Sequence, residues 1–165
     1  LKQAAKTMNF LTEHGISSYG ELESKLNAVS ARRDTAHAEI KRIESRSAEL
    51  ALVMKHAGTY RQLKPLYDRY RKSNDKEKFL RGHESEIILF EAAARELKRL
   101  GAVPLPTTES MKTELANLNA EKERLLAEYK AARAEAQEYD TVKQNVDALL
   151  AVPKEQEQQR RHELE

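Results

Sequence analysis

The sequence predicts an all-α protein, an elongated antiparallel hairpin or coiled coil of two long helices with a cap of short helices between them. Apolar residues recur at alternating spacings of three and four in two separate blocks of the chain. Such a 3.5-residue repeat holds one narrow stripe of a helix against a partner helix, so each block can cover the other. No segment shows the two-residue alternation that is typical of a β-strand.

Composition limits both the core and the chemistry. Of the 165 residues, 39% are hydrophobic and only 5% are aromatic, which suffices for thin helical seams but not for a thick globular core. Cysteine is absent, which excludes disulfides and thiolate chemistry. No run approaches the roughly 18 apolar residues of a membrane span, and no leader peptide is recognisable. We therefore expect a cytoplasmic protein without a membrane partner.

The first elements are a short helix and the start of a long one. Residues 1–15 predict an N-terminal helix that Gly15 ends, because glycine enters the left-handed conformation freely. Ser18 and Glu21 have the spacing of a capping box, so the first long helix should cover residues 18–57. Its apolar stripe comprises Leu22, Leu26, Val29, Ala36, Ile40, Ile43, Leu50, Met54 and Ala57.

Residues 59–101 predict the cap of shorter helices. Pro65 has no backbone donor, so a helix should kink or restart there. Gly82 and His83 should mark a second bend, and Gly101 should end the last helix of the cap.

The second long helix should cover residues 108–152, which makes the whole hairpin residues 16–152. Thr107 or Thr108 should cap its start, and Pro153 should interrupt it. Its apolar stripe comprises Met111, Leu115, Leu118, Leu125, Tyr129, Ala132, Ala136, Tyr139, Val146 and Leu150.

The chain closes on a polar tail, residues 153–165. The tail has almost no apolar residues, so it is either a solvated helical extension or disordered. Its last two residues, Leu164 and Glu165, are consistent with the remnant of a tag. At the other end the chain opens at Leu1 inside a helical pattern, which suggests excision from a longer protein.

Polar residues interrupt the two apolar stripes at four positions: Arg33, Ser47, Lys122 and Lys143. An antiparallel register that sets Leu22 opposite Leu150 brings Lys122 close to Ser47. Polar seam residues can select one register. In a thin seam, long side chains can equally extend their charged ends into water. The sequence leaves both interpretations open.

No pattern in the chain indicates catalysis or cofactor binding. The histidines lack a second ligand at a metal-binding spacing, and the sequence has no P-loop, GxGxxG motif or glycine-flanked nucleophile turn. Carboxylate pairs such as Glu121 and Glu123 fall on solvated helix faces. We predict no catalytic, metal-binding or cofactor-binding residue, and hence a chain that is not an enzyme.

One segment has an unusual charge. Between Arg61 and Arg81 there are eight cations and three anions, a net charge of +5 in a chain whose total is +2. The candidate nucleic-acid contacts are Arg61, Lys64, Arg69, Arg71, Lys72, Lys76, Lys78 and Arg81. Interleaved aromatic residues suit phosphate contacts combined with base stacking. They equally suit the buried stripe of a short helical hairpin whose solvated face carries the cations.

Three stretches of the sequence carry a resemblance to a known family. They are residues 6–23 (KTMNFLTEHGISSYGELE), residues 67–87 (YDRYRKSNDKEKFLRGHESEI) and residues 105–150, which end in VKQNVDALL. In sequence and order, these stretches resemble the helical region that follows the nuclease domain in conjugative relaxases of Gram-positive mobilisable and integrative elements.

The resemblance implies a DNA-transfer protein. In that family an N-terminal domain nicks the transfer origin with a tyrosine nucleophile and a divalent metal, which is held by histidines that include a His-hydrophobic-His motif. That motif does not occur in this sequence. The resemblance therefore implies the non-catalytic helical part of a tyrosine relaxase. The implied partners are single-stranded or origin DNA and the relaxosome or coupling proteins.

A second hypothesis needs no nucleic acid. Heptad stripes are also typical of a coiled-coil spacer or a dimerisation module that contacts only protein. The sequence alone permits the long helices to pair within one chain or between the chains of a homodimer.

Overall fold

The computed structural model of the chain describes residues 1–163, with side chains described for residues 1–151, 159, 161 and 162. These residues form four α-helices: α1 (Lys2–Glu13), α2 (Tyr19–Lys72), α3 (Lys76–Arg99) and α4 (Thr108–Glu163). The long helices α2 and α4 pack antiparallel within the chain, and α3 lies between them in sequence. The predicted all-α fold with two antiparallel long helices is confirmed.

Local signals set the ends of the helices. Gly15 and Gly101 adopt positive φ angles of 62° and 69°, as expected for glycines that end a helix. At the start of α2 the Ser18 hydroxyl accepts the Glu21 N–H (3.1 Å). The Glu21 carboxylate accepts the Ser17 N–H (2.7 Å), one residue before the donor of a standard capping box.

Helix α2 is longer than predicted. It has 54 residues and continues through Gly58 and Pro65 to Lys72, so the predicted end near residue 57 is wrong and the helix does not restart at Pro65. A proline removes one backbone donor, and the turns on either side can still hold the helix when tertiary packing stabilises it. The bend predicted near His83 is present, because His83 has non-helical angles (φ −138°, ψ 27°) inside α3.

Helix α4 begins where it was predicted to begin. The Thr107 hydroxyl accepts the Ser110 N–H (3.1 Å) and caps the first turn. The helix then continues past residue 152 to Glu163, so the interruption predicted at Pro153 is wrong. A long helix that is already formed can lose one donor without ending. The proposed tag remnant, Leu164-Glu165, lies outside the described residues.

Residues 1–40 and the residues from 124 onward form one compact unit. Its core joins α1, the first part of α2 and the second part of α4, and comprises Phe10, Leu22, Val29, Ala136, Tyr139 and Val142. The Phe10 ring meets the Tyr139 ring edge to face, with centroids 5.1 Å apart. Helix α1 thus covers part of the stripe formed by α2 and α4. Burial of a large apolar side chain contributes roughly 1.5–3 kcal/mol to the free energy of unfolding.

Residues 41–123 form the second compact unit. Here α3 supplies the third helix, and its buried Phe90 ring stacks on Tyr60 and Tyr67 of α2. The buried apolar residues include Ile43, Leu50, Val53, Ala57, Ile87, Phe90, Ala93, Leu97, Met111 and Leu118. Each unit is therefore built from three helices, which agrees with the thin seams expected from the composition.

The antiparallel register differs from the predicted one by about one helical turn. Lys122 pairs with Glu44 (3.5 Å) and not with Ser47. At the start of α2, the Tyr19 hydroxyl donates to Asp147 (2.6 Å), and Leu150 is 58% exposed although it was assigned to the seam. A heptad stripe fits its partner nearly as well after a shift of three or four residues, so apolar spacing alone does not select the register.

Candidate nucleic-acid interface

The basic segment lies at the junction of α2 and α3. Five of its cations lie on the last turns of α2, namely Arg61, Lys64, Arg69, Arg71 and Lys72. Three lie on the first turns of α3, namely Lys76, Lys78 and Arg81. All eight are solvent-exposed. The eight predicted cations thus occupy the last turns of α2 and the first turns of α3.

A tight connection holds the two helix ends together. The Asp75 carboxylate accepts the Lys78 N–H (3.1 Å) and caps α3. The Ser73 hydroxyl donates to the Asp75 carbonyl oxygen (3.1 Å). The last turn of α2 carries Arg69, Arg71 and Lys72, where cations interact favourably with the negative end of the helix dipole. These three cations therefore stabilise the end of α2 whether or not a ligand is bound.

Aromatic side chains join α2 to α3 beside the cations. Phe90 of α3 stacks on Tyr67 and on Tyr60 of α2, with centroid distances of 4.3 and 4.8 Å. Tyr70 lies 5.8 Å from Tyr67 and 6.0 Å from Phe79. Phe90 is buried and the other rings are half-buried. The aromatic residues therefore form the packed stripe of a helical hairpin, and the cations form its solvated face.

Several of the predicted cations already have partners. The Arg61 guanidinium donates to the Thr108 hydroxyl (2.9 Å) and to the Pro106 carbonyl oxygen, both at the start of α4. Lys64 pairs with Asp68 (2.9 Å), and this hydrogen bond raises the pKa of Lys64. Arg61 thereby joins α2 to the start of α4, and both cations are less available to a ligand.

Two further cations make weaker contacts within the segment. The Arg69 guanidinium carbon lies 5.7 Å from the centroid of the Phe79 ring, within the range of a cation–π interaction. The Arg81 Nε donates a long hydrogen bond (3.4 Å) to the Glu77 carbonyl oxygen. Within the part of the chain whose side chains are described, four cations of the segment have no side-chain hydrogen bond, ion pair or ring contact: Arg71, Lys72, Lys76 and Lys78.

A groove of about 400 Å³ runs between α2 and α3 beside the aromatic residues, and we name it the α2–α3 groove. Tyr60, Tyr67 and Phe90 line its aromatic part. Its charged lining comprises Lys64, Asp68, Arg71, Glu91 and Arg95. The sequence did not indicate this groove, because the residues from α3 lie far along the chain from the basic segment. The helical spacing of Phe90 and Ala94 indicated one face of α3 but not the groove beside it.

Two other kinds of feature, a membrane span and a metal-binding group, are absent from the described residues. Among the described helices, none has the length and apolar character needed to cross a bilayer. Within the same part of the chain, no three side chains of His, Asp or Glu form a group that could hold a metal ion.

Comparisons with known proteins do not identify what the α2–α3 junction binds. No protein-family model, no curated protein and no solved structure matches the chain. The resemblance to relaxases accordingly stays a prediction from sequence.

Proposed function

We propose that this chain is a non-catalytic accessory helical domain of a conjugative DNA relaxase. In this role the α2–α3 junction contacts single-stranded DNA at the transfer origin during plasmid or transposon mobilisation. Surfaces elsewhere on the helices are available to relaxosome or coupling proteins. The observation that carries the proposal is a set of four exposed cations, Arg71, Lys72, Lys76 and Lys78, whose side chains have no described partner. They lie on two helix ends that a tight connection holds together.

Phosphate contacts make the affinity for DNA depend on salt in a measurable way. A protein that neutralises phosphates releases condensed counterions, so its affinity falls as salt rises. For single strands, a plot of the logarithm of the binding constant against the logarithm of the salt concentration has a slope of about −0.7 for each phosphate contacted. If Arg71, Lys72, Lys76 and Lys78 each contact one phosphate, the expected slope is about −3.

The test is a fluorescence-anisotropy titration of a labelled single-stranded oligonucleotide at several salt concentrations. The variant replaces Arg71, Lys72 and Lys76 by alanine, since these cations hold no described partner. We expect this variant to bind at least tenfold more weakly and the magnitude of its salt slope to fall by about two.

A charge-matched control separates local contacts from net charge. It replaces three exposed lysines elsewhere in the chain, Lys6, Lys112 and Lys130, by alanine. This control should bind almost as the native chain does. Equal losses for the two variants, or no binding at low salt, would overturn the DNA-contact proposal.

A second candidate function is a coiled-coil spacer or dimerisation module with no nucleic-acid role. The observation that favours it is the exposure of large apolar side chains on α4, with Leu126 at 45% and Leu150 at 58%. Light scattering across a range of concentrations tests this function. A dimer that dissociates when both leucines are replaced by glutamine supports it, and a monomer mass at every concentration overturns the dimerisation role.

A further inference from the structure

The α2–α3 groove combines two kinds of surface that a nucleotide needs. Tyr60 and Tyr67 line it as half-buried rings, so part of each ring remains open to the groove. Arg71 and Arg95 approach from opposite helices and are exposed. Aromatic rings bind unpaired bases of any sequence, and arginine binds phosphate oxygens through its fork of donors.

The size of the groove suits a small ligand. Its volume of about 400 Å³ lies near the lower end of the range for small-molecule sites. The lining carries three cations (Lys64, Arg71 and Arg95) and two carboxylates (Asp68 and Glu91). With only one more cation than carboxylates, the groove suits a piece of nucleic acid that carries one or two phosphates. The two carboxylates oppose the entry of a compact ligand with many negative charges.

We propose that the α2–α3 groove holds one nucleotide of single-stranded DNA, with its base against Tyr60 and Tyr67 and its flanking phosphates at Arg71 and Arg95. This inference rests on the proposed function and adds a base-binding site to it. The other cations of the junction, Lys72, Lys76 and Lys78, then follow the backbone of the same strand.

The rigidity of the aromatic residues supports this assignment. Tyr67 is held by stacking on Phe90 at 4.3 Å, and Tyr60 stacks on the same ring at 4.8 Å. The two tyrosine rings are therefore already held in place in the free protein, so binding a base costs little side-chain entropy. A duplex keeps its bases paired and stacked inside the helix, so only an unpaired base can enter the groove.

The first experiment compares two oligonucleotides that have the same length and number of phosphates. One carries thymine at every position and the other is abasic throughout. Phosphate contacts alone bind both equally, whereas the groove favours the strand with bases. We expect the thymine strand to bind the native chain about tenfold more tightly.

Two variants locate this preference. Ala94 lines the groove, so Ala94→Trp should fill it and abolish the preference for bases. Ala92→Trp is the matched control, because Ala92 has similar exposure on the same helix and does not line the groove. Tyr67→Leu should also reduce the preference. Circular dichroism checks that each variant remains helical.

A direct readout does not depend on affinity. An oligonucleotide with 5-iodouracil, irradiated in complex with the native chain, should cross-link to Tyr60 or Tyr67, as identified by mass spectrometry of peptides. Cross-links confined to other residues overturn the groove site.

The possible outcomes separate the two proposals. If neither oligonucleotide binds at low salt, the proposed function fails. If both bind equally and the Arg71, Lys72 and Lys76 variant weakens both, the proposed function stands and the groove site is overturned. The groove site is also overturned if Ala92→Trp removes the base preference as fully as Ala94→Trp does.

Discussion

Phe90 of α3 stacks on Tyr67 of α2, with ring centroids 4.3 Å apart and planes inclined by 25°. This contact joins two positions that are distant in sequence, and it fixes how the basic end of α2 meets α3. The same phenylalanine stacks on Tyr60, two helical turns earlier. The aromatic residues thus have a structural role whatever the junction binds.

Replacing Phe90 by alanine should destabilise the protein more than any other single aromatic change at this junction. Phe90 is only 5% exposed, and truncation of a buried phenylalanine costs about 3–5 kcal/mol in free energy of unfolding. Urea unfolding followed by circular dichroism measures the loss. Phe79→Ala is the control, because Phe79 is half-buried and should cost clearly less. Equal costs would contradict the packing described for Phe90.

The pair Arg46–Glu114 should contribute to the choice of register but little to stability. Arg46 Nε lies 2.7 Å from one carboxylate oxygen of Glu114, and Nη2 lies 3.1 Å from the other. Both side chains are about 40% exposed, so solvent screening limits the pair to about 1 kcal/mol or less.

A double-mutant cycle with Arg46→Ala and Glu114→Ala measures the coupling energy. Exchanging the two residues, as Arg46→Glu with Glu114→Arg, should restore most of the coupling because the exchanged charges still attract. A coupling near zero in the cycle would show that the pair has no part in selecting the register.

Glu21 should make stability depend on pH in the acidic range. Hydrogen bonds from the Ser17 N–H and hydroxyl hold the pKa of Glu21 below its ordinary value. Because the folded pKa is lowered, the contribution is present above the unfolded pKa of about 4.3 and is lost as pH falls through the folded pKa.

Unfolding experiments at about pH 5 and about pH 3 test this dependence. Glu21→Gln should reduce the difference in free energy of unfolding between the two conditions. Glu23→Gln removes a charge from the same turn and leaves the bonds to Ser17 intact, so it should preserve more of the difference. An NMR titration that gives Glu21 an ordinary pKa would contradict the hydrogen-bond geometry.

Two glycine substitutions should have opposite signs. Gly58 lies inside α2, and an added Cβ meets nothing within 4 Å, so Gly58→Ala should stabilise the protein by about 1 kcal/mol. Gly101 also has open space around it, but its φ of 69° strains any other residue. Gly101→Ala should therefore destabilise the protein by about 1 kcal/mol. Thermal unfolding measures both changes, and destabilisation by Gly58→Ala would argue that α2 breaks there after all.

Part of the candidate site could be predicted from sequence. The eight cations were found from charge alone, and all are exposed. Charge counting could not separate Arg61, which hydrogen-bonds to the start of α4, from Arg71, which has no described ion pair. That difference depends on residues more than thirty positions away in the chain. The α2–α3 groove was missed for the same reason.

The sequence by itself determined the helical class, the two apolar stripes and the ends of helices at Gly15, Gly101 and Thr107. These features depend on interactions within a few residues, such as a cap, a left-handed turn or the spacing along one helix face. Tertiary structure alone decided that α2 continues through Pro65 and that Lys122 meets Glu44. A heptad stripe permits several registers of similar apolar burial, so contacts between residues far apart in the chain must select one of them.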